Sequence, residues 1–87
     1  MNEESAKRER EKARAIRKSS WWTNQLSKPV CYYCEIEISR KDVTMDHIVP
    51  ISRGGKSTRS NIVLACKSCN TQKKDMTAFE LISIKES

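Results

Sequence analysis

Polar and apolar positions divide this chain unevenly. Residues 2 to 20 are almost wholly polar, and Met1, Ala6, Ala13, Ala15 and Ile16 are the only apolar side chains among the first twenty. The run "KREREKARAIRK" is built from good helix formers, and Glu3 and Glu4 stand where carboxylates favour the positive end of a helix dipole. Glu3 to Lys7 and Glu4 to Arg8 form i,i+4 pairs in the favourable order. The spacing therefore predicts a charged helix over 2–20. Ala13 and Ile16 give it only a thin apolar stripe, so it is expected to project, fray or lie along a partner.

The pattern changes at Trp21, Trp22 and Leu26, which read as core or as a plug docking the N-terminal helix, with base stacking as the other use of paired tryptophans. Pro29 stops helix formation before Cys31. "EIEIS" alternates over too few residues to establish a strand. "VTMDHIV" (43–49) predicts one, rich in β-branched residues and closed by Pro50. Strict alternation puts Val43, Met45 and His47 on one face and Thr44, Asp46 and Ile48 on the other, so Asp46 and His47 converge only if the strand bends or bulges. "SRGGKSTRSN" (52–61) reads as a loop, and Ile62, Val63, Leu64 and Ala65 as a buried run. Residues 70–76 are helix-compatible with Asn70 as N-cap. A capping box, Thr77-Ala-Phe-Glu80, opens a last helix whose Phe79, Leu81, Ile82 and Ile84 include core positions.

At 87 residues the chain holds one folding unit and needs a staple, since its core must come from about residue 20 onward. Its four cysteines form two C-x-x-C pairs, Cys31/Cys34 and Cys66/Cys69. Three disulfide connectivities are possible. No apolar run with a cleavage site opens the chain, however, so a reducing cytosol and a tetrahedral four-cysteine zinc site are expected. Structural zinc contributes about 10–16 kcal/mol in finger peptides, more than the net stability of most small domains. Seventeen Lys and Arg against eleven Asp and Glu give +6. Four thiolates around Zn2+ reduce this to about +4, still basic, which favours nucleic acid over membrane as partner. No segment approaches the about 20 apolar residues of a membrane span.

Asp46, the lone histidine His47, Asn61 and Asn70 are the polar residues that this arrangement gathers near the zinc knuckles. A carboxylate and a carboxamide are hard donors suited to Mg2+ or Mn2+, whereas the thiolates suit zinc. Together "CYYC", "DHIVPISRGG", "SNIVLACKSCN" and "TQK" resemble the HNH endonuclease family over residues 31 to 75.

The resemblance implies an α+β fold: a small ββα-metal, treble-clef-like finger braced by a structural zinc on the four cysteines, with flanking N- and C-terminal helices. It divides the chain into a charged extension (1–28) and a nuclease domain (29–87). His47 is then the general base, Asp46 and Asn70 ligate a single divalent cation, and Asn61 fixes the loop and orients the histidine. Asn70 stands where many members carry histidine, a departure that shifts metal preference toward Mg2+ or Mn2+. Arg53, Lys56, Arg59, Lys67, Lys73 and Lys74 are expected to contact the phosphates of double-stranded DNA without reading sequence. A bacterial or phage-infected cytoplasm is the expected setting. The alternatives are a non-catalytic zinc module that binds nucleic acid, and an accessory subunit whose N-terminal helix docks on a larger DNA-processing protein such as a phage packaging machine.

Overall fold

The computed structural model describes residues 3–86. Helix α1 runs from Glu3 to Arg17 and α2 from Ser20 to Gln25. Strands β1 (Thr44–His47) and β2 (Ile62–Ala65) form an antiparallel hairpin, followed by α3 (Lys67–Lys73) and α4 (Ala78–Glu86). This is a small α+β domain built on a two-stranded hairpin, helices and four clustered cysteines. No helix among the described residues is long and apolar enough to cross a membrane.

The hairpin register pairs Thr44 with Ala65, Met45 with Leu64, Asp46 with Val63 and His47 with Ile62. Residue follows residue on both strands, so the bend or bulge that would bring Asp46 and His47 to one face is absent, and β1 ends at His47. Asp46 is buried and His47 half-buried. Two apolar clusters flank the hairpin. Cys31, Ile38, Ala65, Cys66 and Cys69 form one; Trp22, Ile62 and Leu64 form the other, with Ile16, Trp21, Leu26 and Met45 packed around it. Trp22 is thus the docking plug expected of the tryptophan pair, and Trp21 lies at the edge, 5.7 Å beneath the Arg59 guanidinium.

Three expectations change, those for α1, Asn70 and Val63, and the core positions of α4 are narrowed. Helix α1 does not project: it packs on α2 and on the 3-10 turn Ile51–Arg53, burying Glu9 and Ala13. Asn70 lies inside α3, because Cys66 is the N-cap and its sulfur accepts the Cys69 N–H. In α4, Leu81 is fully buried while Phe79 and Ile84 are exposed; Ile82 is half-buried. The segment "FELISI", in which only Glu80 and Ser83 are polar, carries no stripe that distinguishes them. Val63 is only half-buried, because a two-stranded hairpin leaves one face partly open. The Thr77 half of the capping box forms, with the Glu80 N–H donating to Thr77 Oγ1, and the Glu80 carboxylate takes the Thr77 hydroxyl.

The loop between the strands is held tightly. Gly54 has φ +90°, in the left-handed region. Gly55 is required for a different reason: a Cβ there would lie 1.7 Å from the Val49 carbonyl oxygen, inside backbone that cannot yield.

Candidate catalytic site and four-cysteine cluster

The thiolates come from two local turns. Cys31 and Cys34 flank a knuckle closed by the Glu35 N–H donating to the Cys31 carbonyl, with Glu35 at φ 63°. Cys66 and Cys69 occupy the start of α3. The four Sγ atoms lie within 4.8 Å of one another, and Cys34 and Cys66 are 3.8 Å apart. A disulfide needs about 2.05 Å, whereas Zn–S bonds of about 2.3 Å in a tetrahedron place sulfurs about 3.8 Å apart. The four thiols are unpaired and fit zinc in number, type and spacing. Burial raises the Cys31 thiol, but N–H donors from Cys34, Cys66 and Tyr33 outweigh it and leave Cys31 lowered to about 7. One ligand is therefore poised as thiolate near neutral pH. Among the described residues, no other cluster of three or more His, Cys, Asp or Glu side chains could share an ion.

Asp46 projects from β1 into the core side. Tyr33 Oη donates to its Oδ2 in a short hydrogen bond, and Lys73 Nζ reaches Oδ1 at 3.2 Å. Lys73 also donates to the His47 carbonyl at 2.7 Å. Burial and the Asp46 carboxylate raise the Tyr33 phenol, so it stays protonated and donates. Lys73 is 1 % exposed and so leaves the set of expected phosphate contacts: its ammonium neutralises Asp46 instead.

His47 faces the opposite side. Its Nε2 is 2.9 Å from Ser57 Oγ. Ser57 Oγ donates its single proton to the Glu9 carbonyl at 2.6 Å, and the Ser57 N–H donates to Glu9 Oε1 at 2.7 Å. With that proton committed, Ser57 accepts from Nε2–H, which assigns the neutral ring its tautomer and leaves Nδ1 as the basic nitrogen. Burial lowers the His47 pKa below its ordinary value; Asp46 opposes this and Lys73 adds to it. The ring lines a cleft of about 260 Å³ with Arg10, Ala13, Arg14, Arg17 and Ile51.

Asn61 staples the loop. Its Oδ1 accepts the Val49 N–H at 2.9 Å, and its Nδ2 donates to the carbonyls of Val49 at 3.1 Å and Lys56 at 2.8 Å. Asn70 opens on an adjoining cleft with Arg17, Thr44 and Met45, so Arg17 borders both it and the His47 cleft. The structure thus gives Asp46, His47 and Asn70 three different surroundings. Of the remaining basic candidates, Arg53 pairs with Glu80 and Lys67 with Asp42, all exposed or half-exposed, while Lys56, Arg59 and Lys74 are exposed.

Asp46 and Asn70 offer hard oxygens of the kind a divalent cation takes, but both Asp46 oxygens are engaged, by Tyr33 and by the Lys73 ammonium, and the cleft on which Asn70 opens is not lined by Asp46. An ion taking Asp46 Oδ1 must displace Lys73. The residues that sequence reasoning missed are Ser57, Glu9 and Tyr33. Tyr33 sits within the first C-x-x-C; Ser57 and Glu9 meet across 48 positions, and no local pattern marks that pairing.

A family model described as HNH endonuclease matches residues 31–83. A segment covering 64% of the chain is 37% identical to the CRISPR-associated endonuclease Cas9 of Corynebacterium diphtheriae. The similarity spans 6% of that protein, so the chain corresponds to a small part of it.

Proposed function

The chain belongs to the HNH endonuclease family, and from that premise we propose that it hydrolyses phosphodiester bonds in DNA with His47 as the general base. The observation that carries this reading is the His47–Ser57–Glu9 chain, which commits Nε2 as donor and leaves Nδ1 able to accept a proton. Water loses its proton to Nδ1 and its oxygen attacks phosphorus. The P–O3′ bond then breaks and the departing O3′ takes a proton from solvent, leaving 5′-phosphate and 3′-hydroxyl ends as the family resemblance implies. Burial keeps the ring neutral near pH 7, and the Asp46 carboxylate favours the imidazolium once it forms.

Asn61 holds the 49–56 backbone against the end of β1 and so acts as a positioning residue for this ring. Asp46 and Asn70 would hold Mg2+ or Mn2+, and when bound such an ion supplies charge neutralisation at the phosphate and the leaving oxygen. Lys56, Arg59 and Lys74, with Arg53 and Lys67 from their surface pairs, neutralise the phosphate backbone.

The test is supercoiled plasmid incubated with zinc-loaded protein and Mg2+, Mn2+ or EDTA. Wild type nicks it with Mg2+ or Mn2+ and not in EDTA, and His47→Ala lowers the rate by about 10²–10⁴-fold, the ordinary worth of a positioned base. Nicking by His47→Ala at the wild-type rate refutes the assignment. Binding of DNA with no nicking under any condition would instead identify a non-catalytic zinc module.

A further inference from the structure

Helix α1 lies outside the segment that the family model matches, yet it forms a wall of the cleft containing His47. We propose that α1 is part of the substrate site and that Arg10, Arg14 and Arg17 bind backbone phosphates of duplex DNA flanking the scissile one. The inference rests on the reading above and names phosphate-binding residues that neither the motif nor the family match includes.

At about 100° per residue the three arginines fall within an arc of about 60°. They span about 10 Å along the axis, the rise of about three successive phosphates of one strand. All three are exposed, and among the described residues none is paired with a carboxylate. Arg17 makes one weak side-chain interaction, with Met45 Sδ at 3.9 Å, and borders the clefts of both His47 and Asn70.

This stretch of helix carries two carboxylates. Glu9 is 3 % exposed and is engaged by Ser57 and Lys12. Glu11 is exposed but lies about 60° around the helix from Arg14, outside the arc of the three arginines and outside the lining of the His47 cleft. That cleft therefore takes only guanidinium groups from α1 as its charged side chains. The same Ser57 pairing fixes α1 against the loop, which preorganises the arginines relative to the base. Arginine suits the task because its planar fork binds phosphate oxygens in pairs.

The experiment uses the zinc-loaded 87-residue chain carrying His47→Ala to prevent cleavage, and a fluorescein-labelled duplex of about 24 base pairs followed by anisotropy from about 50 to 200 mM salt. Replacing Arg10, Arg14 and Arg17 together by glutamine should weaken binding at least tenfold at low salt. It should also reduce the slope of log K against log salt by about 2.7, since each phosphate no longer neutralised removes about 0.9. Replacing all three by lysine should restore most of the slope. Arg8→Gln, on the far side of the helix, should change it by less than the worth of a single phosphate. Near-ultraviolet circular dichroism establishes that each variant retains the native fold.

An unchanged slope in the triple glutamine variant overturns the proposal, even while plasmid nicking by the wild-type chain upholds the nuclease reading. Absence of wild-type nicking refutes that reading separately. Tighter binding and a larger arginine-dependent slope on an RNA duplex than on DNA would overturn the assignment to DNA.

Discussion

Replacing Lys73 by methionine removes one charge with little change of side-chain volume. It therefore isolates the ion pair at the centre of the hairpin. The ammonium lies 3.2 Å from Asp46 Oδ1, and the two side chains are 1 % and 7 % exposed. At an effective dielectric near 20, Coulomb's law gives an attraction of about 5 kcal/mol at this distance, before either group's desolvation is counted. Measured losses on breaking buried pairs run at about 3–5 kcal/mol, because the remaining charge stays buried and uncompensated. Here Asp46 keeps only the Tyr33 hydroxyl, and the His47 carbonyl loses a 2.7 Å donor as well. The expected loss is thus about 3–5 kcal/mol, a large share of a small domain's stability.

Urea unfolding of the zinc-loaded protein, followed by tryptophan fluorescence because Trp22 is buried, measures it. With a slope of about 1 kcal/mol per molar urea, the midpoint falls by several molar. Removing both charges with Asp46→Leu and Lys73→Met recovers most of the loss, since a buried pair is often replaceable by apolar residues at little cost. A single-variant loss below about 1 kcal/mol would refute the reasoning, as would a double variant less stable than Lys73→Met.

The same Lys73→Met substitution frees the carboxylate that a divalent cation needs. It should tighten Mn2+ binding at least tenfold in a titration followed by electron paramagnetic resonance, and equal affinity would show that Lys73 does not compete. For His47, the lowered pKa means that the unfolded chain takes up its proton near pH ~6.5 while the folded ring remains neutral. Its contribution to stability is therefore present above that pH and lost as pH falls through the folded value. Nicking should likewise fall with acid at a midpoint below about 6.5; a midpoint above about 7, or a flat profile from about pH 8 to 5, contradicts the burial argument. Removing zinc with a strong chelator should abolish the cooperative unfolding transition, and stoichiometric Zn2+ should restore it. Retention of the native transition after verified metal loss would show that the apolar clusters suffice alone.

The legible parts of this molecule are those set by neighbours in sequence. Each C-x-x-C makes its own knuckle, and the strand around Asp46 and His47 follows from its β-branched residues. The Thr77 cap on the Glu80 N–H needs only a three-residue reach. What was not legible depends on how elements turn toward each other. Lys73 and Lys74 are adjacent and chemically identical, yet the rotation of α3 buries the first against Asp46 and leaves the second in solvent. Likewise α1 lacks an apolar stripe wide enough to predict docking. It docks through a polar clasp between Glu9 and Ser57, whose partners lie 48 positions apart.

The regular register of the hairpin has a consequence for how the base is held. Because β1 does not bulge, the side chains of Asp46 and His47 leave opposite faces of the strand, and a phosphate served by both must sit across its end, where β1 stops at His47. The two residues are joined around that end. Lys73 bonds the Asp46 carboxylate and the His47 carbonyl from the core side, while Ser57 bonds the imidazole from the α1 side. The backbone and the ring of His47 are thus fixed independently, and loosening either hold degrades a different property. Loss of Ser57 frees the tautomer while leaving the strand in place; loss of Lys73 leaves the tautomer assigned but uncouples the strand end from α3. A Ser57→Ala variant should therefore lose nicking rate with little change in zinc affinity, whereas Lys73→Met loses stability first. If the two substitutions produced the same pattern of losses, ring and backbone would not be independently held.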